Sequence, residues 1–164
     1  MRRSAEGKKR ELIDNLVAAR RLILDALQGL DPAQAEQIFL GEWSVSDLLA
    51  HLVGWDYTNL QAVQEILAGK TPGFFRFSDK DWRSYNRQLV EKYKRQPFTA
   101  LLADVEESQR QLIIFLETVP ARDLIQGKAP SPSGRTVSIQ SLLRAETRDE
   151  NQHAGQVQAF WVHP

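Results

Sequence analysis

Apolar residues recur at three- and four-residue steps over several long stretches of this chain, the spacing that gathers them on one face of a helix. Leu12, Leu16, Ala19, Ile23, Leu27 and Leu30 predict a first helix from about Lys9 to Leu30, broken by Asp31-Pro32. Pro32 to Phe39 then reads as a turn or short helical stub. Ser44 followed by Asp47 is a capping-box-like start, in which Ser44 accepts from free backbone amides and Asp47 faces the positive end of the helix dipole. A second helix is expected from there to about Ala68, with Val45, Leu48, Leu52, Trp55, Val63 and Ile66 inward.

Gly69 to Phe77 reads as a loop, and its Phe74, Phe75 and Phe77 are too apolar to be left in water, so the loop is expected to fold over one end of the helices. Ser78 and Asp81 repeat the cap pattern before a shorter helix carrying Trp82, Tyr85, Leu89 and Tyr93 on one side. Leu101, Val105, Leu112, Leu116 and Val119 predict a third long helix over about Pro97 to Val119, stopped by Pro120. The proline- and serine-rich stretch from Pro120 to Arg135 reads as a connecting loop, and a last helix starts near Ser138. The pattern predicts an all-α fold: a four-helix bundle with one extra short helix, spanning residues 1–164 as one domain.

A chain of 164 residues can bury enough apolar surface to fold without a disulfide or a structural metal. It has no cysteine, which removes thiolate nucleophiles and Cys-based zinc sites, so any metal ligand must be His, Asp or Glu. Lys plus Arg and Asp plus Glu balance at 21 each, with no one-sided basic stripe, so nucleic acid is not expected as a partner. The basic start, Met1-Arg2-Arg3-Ser4, runs into charged residues where a signal peptide would be apolar, and no run approaches a membrane span. A cytoplasmic location and no membrane partner are expected.

The informative departure lies in the last helix. Arg144 to Gln156 contains no large apolar residue, although the helix is amphipathic on either side. Continuing the inward stripe from Leu142 lands on Glu146, on Asp149 or Glu150, and on His153, before Val157 and Phe160. Such groups buried without partners would cost roughly 1–3 kcal/mol each, so they must be wet, hydrogen-bonded or bound to a cation. His51 borders the inward face of the second helix and can meet this patch. Asp149 and His153 are four residues apart, the spacing at which two side chains can share one ion. With His51 they make a two-imidazole, one-carboxylate set suited to Zn, Ni, Fe or Mn. Spacing equally allows a core histidine bonded to a carbonyl, a plain Asp149–His153 ion pair, and Glu146 or Glu150 paired with Arg20, Arg21 or Arg144.

With Trp43-Ser-Val-Ser-Asp-Leu-Leu-Ala-His51-Leu-Val-Gly-Trp55-Asp56 and Asp149-Glu-Asn-Gln-His153-Ala-Gly-Gln156 in view, the chain resembles the DinB/YfiT-like superfamily of four-helix bundles over nearly its whole length. Phe77-Ser-Asp-Lys-Asp-Trp82, Tyr85-Asn86 and Glu106-Glu107-Ser108 look more specifically like its ClbS/DfsB branch. The resemblance implies a metal triad of one His in the second helix and an HxxxH pair in the last, positions that fall on His51, Asp149 and His153. Asp149 departs from that pattern. It keeps the ligand count and adds negative charge, and it also fits a site that has lost its metal.

The resemblance implies a metal-dependent hydrolase or low-molecular-weight-thiol transferase acting on a small electrophile, in detoxification, stress response or self-protection. The ion would supply the nucleophile that a cysteine-free chain lacks, with Glu150, Glu146 and Asn86 as candidate catalytic residues. Two alternatives stand beside it: a metal-free binding or sequestering bundle whose pocket is formed by Phe74, Phe75, Trp82 and Tyr85, and a metal-free hydrolase of the ClbS kind. Bundles of this family often pair, so a homodimer is expected on the resemblance alone. No nucleophile elbow, phosphate loop or dinucleotide fingerprint is present.

Overall fold

The computed structural model describes residues 4–77, 79 and 82–162. Four long helices make the bundle: α1 (Ala5–Ala26), α3 (Val45–Leu67), α5 (Phe98–Thr118) and α7 (Ile139–Val162), with α1 packed along α7 and α3 along α5. The short helices are α2 (Pro32–Ala35), α4 (Arg83–Tyr93), which lies on α3, and α6 (Ala121–Gln126). Local chemistry accounts for the starts of α1 and α3. Ser44 and Asp47 form the expected capping box at α3, and Ser4 Oγ accepts from the Gly7 amide to start α1 at Ala5 rather than at Lys9. At the other end of α5, Lys9 Nζ donates to the free carbonyls of Glu117 and Val119 at 2.8 and 2.6 Å, tying α1 to that terminus.

Two connections carry more structure than their sequences suggest. Between Pro32 and Ser44, α2 is followed by β1 (Ile38–Leu40), which pairs antiparallel with β2 (Trp43–Ser44). In the stretch read as a loop from Pro120 to Arg135, α6 leads into β3 (Lys128–Pro130), paired with β4 (Thr136–Ser138). The Ser78 and Asp81 cap and the terminal His163 lie outside the described residues. The Phe74–Phe75 segment forms a 3-10 turn, Gly73–Arg76, that runs back along α3 from Glu65, which accepts from the Gly73 amide, toward Trp55.

The interior has three layers. One apolar cluster holds Ile23, Leu48, Leu52, Leu101, Val105 and Val157; a second holds Leu16, Val63, Leu112, Leu116, Ile139 and Leu143. Between them, at mid-height, each long helix contributes buried polar side chains: Arg20, Asp56 and Asn59, Ser108 and Gln109, Glu146 and Glu150. The polar interruption foreseen in α7 is therefore one side of a layer crossing the whole bundle.

Candidate metal centre and its cavity

Arg20 organises the polar layer. Its Nε and Nη2 donate to the two carboxylate oxygens of Glu150 at 3.0 and 2.7 Å, and Nη1 and Nη2 donate to Asp56 at 3.0 and 3.1 Å. The fifth N–H goes to the Val105 carbonyl at 2.9 Å, so every guanidinium hydrogen is used. Ser108 Oγ adds a bond to Asp56 at 2.6 Å. Burial opposes charge on Arg20, yet Asp56 and Glu150 outweigh it and hold its pKa above the ordinary value. Glu150, a candidate catalytic residue, is fully buried in this network and is not among the described residues lining the cavity beside His51 and Asp149.

One turn earlier on α7, Glu146 has a different environment. Its Oε2 accepts from Asn59 Nδ2 at 2.9 Å, and its Oε1 has no partner. Burial, then the neighbouring charges of Glu150, Asp56 and Asp149, push its pKa well above 4.5.

The three residues proposed as metal ligands come together where α3 faces α7. Asp149 Oδ2 lies 3.3 Å from both His51 Nε2 and His153 Nε2, and one donor atom from each residue falls within 4.8 Å of the others. Both imidazoles are buried, while the Asp149 side chain is 45 % exposed, leaving one side of the cluster open. Trp43 packs over His51 with ring centroids 4.9 Å apart. The two histidine rings meet edge-on at 5.4 Å. On the far side of His153, Nδ1 and Gln156 Oε1 are 2.7 Å apart; when Nδ1 carries the hydrogen of a neutral ring, the Nε2 lone pair turns toward Asp149. Nε2 makes no hydrogen bond there. A lone pair and a carboxylate oxygen facing each other at 3.3 Å need a cation or a proton between them.

The protonation tendencies fit that need. Burial lowers the basicity of His51 more than Asp149 raises it; for His153, Asp149 and Gln156 outweigh burial and hold the pKa above 6.5. Burial would raise Asp149, but the two imidazoles hold it well below the usual carboxylate range. The donor set thus fits a divalent transition ion.

His51 and Asp149 also line a cavity of about 400 Å³ between α3, α4, α7 and the 3-10 turn. Its polar wall adds Asn59, Asn86 and Glu146, and its apolar wall is Trp55, Phe74, Phe75 and Trp82. Asn86 accepts from Trp55 Nε1 at 2.8 Å and its side chain also acts on His51, which ties α4 to the cluster. A larger cavity of about 750 Å³, near Ile66, Val119 and Lys128, contains no comparable set of donors.

The sequence profile of the DinB superfamily matches residues 15–157. The chain belongs to the DinB superfamily. Among solved structures, that of the colibactin self-resistance protein ClbS in complex with a dsDNA superimposes on this DinB chain with a TM-score of 0.80 at 19% identity, over 95% of this chain and 96% of that one. YfiT from Bacillus subtilis, described as a probable metal-dependent hydrolase with an unusual four-helix bundle topology, superimposes with a TM-score of 0.72 at 14% identity, over 97% of this chain and 88% of that one. Identities this low establish the shared fold. No curated protein matches the chain in sequence.

One expectation for this DinB chain is overturned. Its balanced charge was read as excluding nucleic acid, yet its fold neighbour ClbS is bound to dsDNA. The physical reason is that a sum of 21 charges of each sign describes the whole chain, whereas phosphate contacts depend on where a few cations lie. Among the described residues no helix is long and apolar enough to cross a membrane.

Asn59, Trp43 and Gln156 escaped the sequence reading as site residues. Asn59 carried a signal, because His51, Trp55 and Asn59 follow one another at four-residue steps on α3.

Proposed function

We propose that this chain is a metal-dependent enzyme that acts on a small electrophilic molecule, by hydrolysis or by transfer to a low-molecular-weight thiol. The observation that carries the reading is the convergence of His51 Nε2, Asp149 Oδ2 and His153 Nε2; Gln156 Oε1, 2.7 Å from His153 Nδ1, is placed to favour the tautomer a metal requires. A divalent ion held by these residues supplies Lewis acidity, which lowers the pKa of a water or thiol placed beside it. The chain's own groups do the rest. Trp43 and the buried imidazoles exclude water from one side of the cluster, and the half-exposed Asp149 leaves the other side facing the cavity. The aromatic wall seats the apolar part of the substrate.

A role in detoxification or self-protection suits chemistry on electrophiles, and the ClbS neighbour, itself a self-resistance protein, supports it. The YfiT neighbour supports the metal.

The deciding experiment is elemental analysis of protein prepared without a histidine tag or chelator, beside its His153→Ala variant. Near one equivalent of Zn, Ni, Fe or Mn in the first, lost in the second, is the expected result. If both stay metal-free after incubation with each of the four ions, the metal reading fails. A proton then occupies the place between Asp149 and His153, and the cavity is a binding site without metal chemistry.

A further inference from the structure

The cavity beside the histidine cluster has a definite polarity. Among its described lining residues none is Lys or Arg. The nearby guanidinium of Arg20 has spent all five hydrogens on Asp56, Glu150 and Val105. The wall does hold two carboxyl groups, Asp149 and Glu146, and Asp149 is occupied by the two imidazoles. Glu146 is the group left over. Asn59 holds one of its oxygens, and the other is buried without a hydrogen-bond partner. A bare carboxylate oxygen in that position would lose its hydration with nothing in exchange, whereas an un-ionised carboxyl leaves only a hydroxyl to be satisfied. The terminal torsion of a glutamate side chain is soft, so a small rotation presents that hydroxyl to the cavity.

Opposite Glu146 stands a continuous aromatic surface. Phe74 and Phe75 stack at 4.5 Å, and Trp82 meets their rings at 5.1 and 5.6 Å. Trp55 closes the row against Phe74 at 5.5 Å. Flat rings and conjugated systems pack well on such a surface, and about 400 Å³ admits a molecule of that kind and little more.

We propose that the cavity takes a flat substrate carrying a carbonyl oxygen, with Glu146 donating the hydrogen bond that this oxygen accepts and Asn59 holding Glu146 in place. This rests on the reading of the cavity as the substrate site of a metal-dependent enzyme, and it names the substrate class. No Lys or Arg among the described lining residues offers an anionic group a partner, so selection in the cavity falls to the carbonyl and the aromatic wall. An apolar ligand without a carbonyl fills the aromatic side but leaves Glu146 unpaired. Glu146 is thereby a specificity-determining group, placed to orient the carbonyl toward the histidine cluster that shares the wall.

The test uses 2-naphthamide and 2-isopropylnaphthalene, which have closely similar shape and differ in the carbonyl amide. Binding is followed by quenching of tryptophan fluorescence, and metal content is measured on the same samples. The expected result is that the ratio of amide to hydrocarbon affinity is about five- to tenfold higher in wild type than in Glu146→Leu, the worth of one neutral hydrogen bond, with metal content unchanged. Glu146→Gln, still a neutral donor, keeps the wild-type ratio. An equal ratio in wild type and Glu146→Leu overturns the assignment. Should every sample prove metal-free while the Glu146-dependent preference persists, the metal reading falls and the assignment of Glu146 stands.

Discussion

Glu146 and Glu150 lie one turn apart on α7, both deeply buried, yet their surroundings ask for different charges. Glu150 receives two hydrogen bonds from Arg20, whereas Glu146 receives one from a neutral amide. Three carboxyl groups, Asp56, Glu146 and Glu150, share this layer with a single guanidinium, so the proton stays on the one Arg20 does not touch. The folded pKa of Glu146 thus lies above 4.5, and the sign of its effect on stability follows. Below pH 4.5 the carboxyl is protonated in the folded and the unfolded chain alike, and the two states bind equal protons. Above it the unfolded chain releases a proton the folded chain keeps, so stability falls as pH rises, by up to about 1.4 kcal/mol per pH unit, until the folded pKa is passed. Glu146→Gln removes this dependence. The variant should match wild type near pH 4 and gain on it as the pH rises from there in urea unfolding midpoints. Parallel curves would show that Glu146 titrates in the fold as it does in water. The sequence marked both residues as polar positions on an apolar stripe; which keeps its proton depends on Arg20, more than a hundred residues away, and no local pattern records that.

At the scale of elements, the cavity exists because α4 lies close on α3. The contact is at Gly54, where a β-carbon would stand 2.7 Å from the β-carbon of Leu89. Backbone approach of this kind brings Asn86 within reach of Trp55 and lets Tyr85 bond Thr58 at 2.7 Å. Gly54→Ala should therefore force α4 outward, destabilising the protein by about 1–3 kcal/mol in chemical denaturation. Leu89→Ala in the same chain should restore part of that loss, because it removes the atoms the new methyl meets. Additive effects of the two changes would mean that α4 is not seated through this contact. The helices themselves were legible, since apolar residues at helical steps and the Ser44–Asp47 box suffice to place α1, α3, α5 and α7. The strands were not. Ile38–Leu40 and Trp43–Ser44 are too short to show an alternating period, and Lys128–Pro130 looks like loop until Thr136–Ser138 pairs with it. The same limit applied to the site: stepping along α7 put Asp149 and His153 together, but the lock on His153 from Gln156 and the open side at Asp149 depend on how α3 and α7 meet.

For the molecule as a whole, the polar layer decides how the four long helices are joined. Arg20 of α1 bonds Asp56 of α3, the Val105 carbonyl of α5 and Glu150 of α7, and Ser108 of α5 closes the ring onto Asp56. Leu16, Arg20 and Ile23 follow one another on the buried stripe of α1, so the sequence places a guanidinium where a bundle normally has an aliphatic side chain. The energetic consequence is asymmetric. Taking these charges out of water costs several kcal/mol per ion, which their mutual attraction and complete hydrogen bonding roughly offset, so the network adds little net stability while making every member depend on the others. Arg20→Met alone leaves Asp56 and Glu150 as adjacent buried carboxylates and should destabilise the protein by about 3–5 kcal/mol. Combining it with Asp56→Leu and Glu150→Leu joins the two apolar clusters through the middle and should bring stability back to the wild-type level or above it. What the triple variant should lose is the setting of α7 against α3: Glu150 adjoins Asp149, and without its anchor the donor atoms of His51, Asp149 and His153 are no longer held to one geometry. A triple variant that is stable but takes up Zn at least tenfold more weakly than wild type in a competition titration is the expected outcome. Equal affinity in the two proteins would show that the histidine cluster is positioned by apolar packing alone.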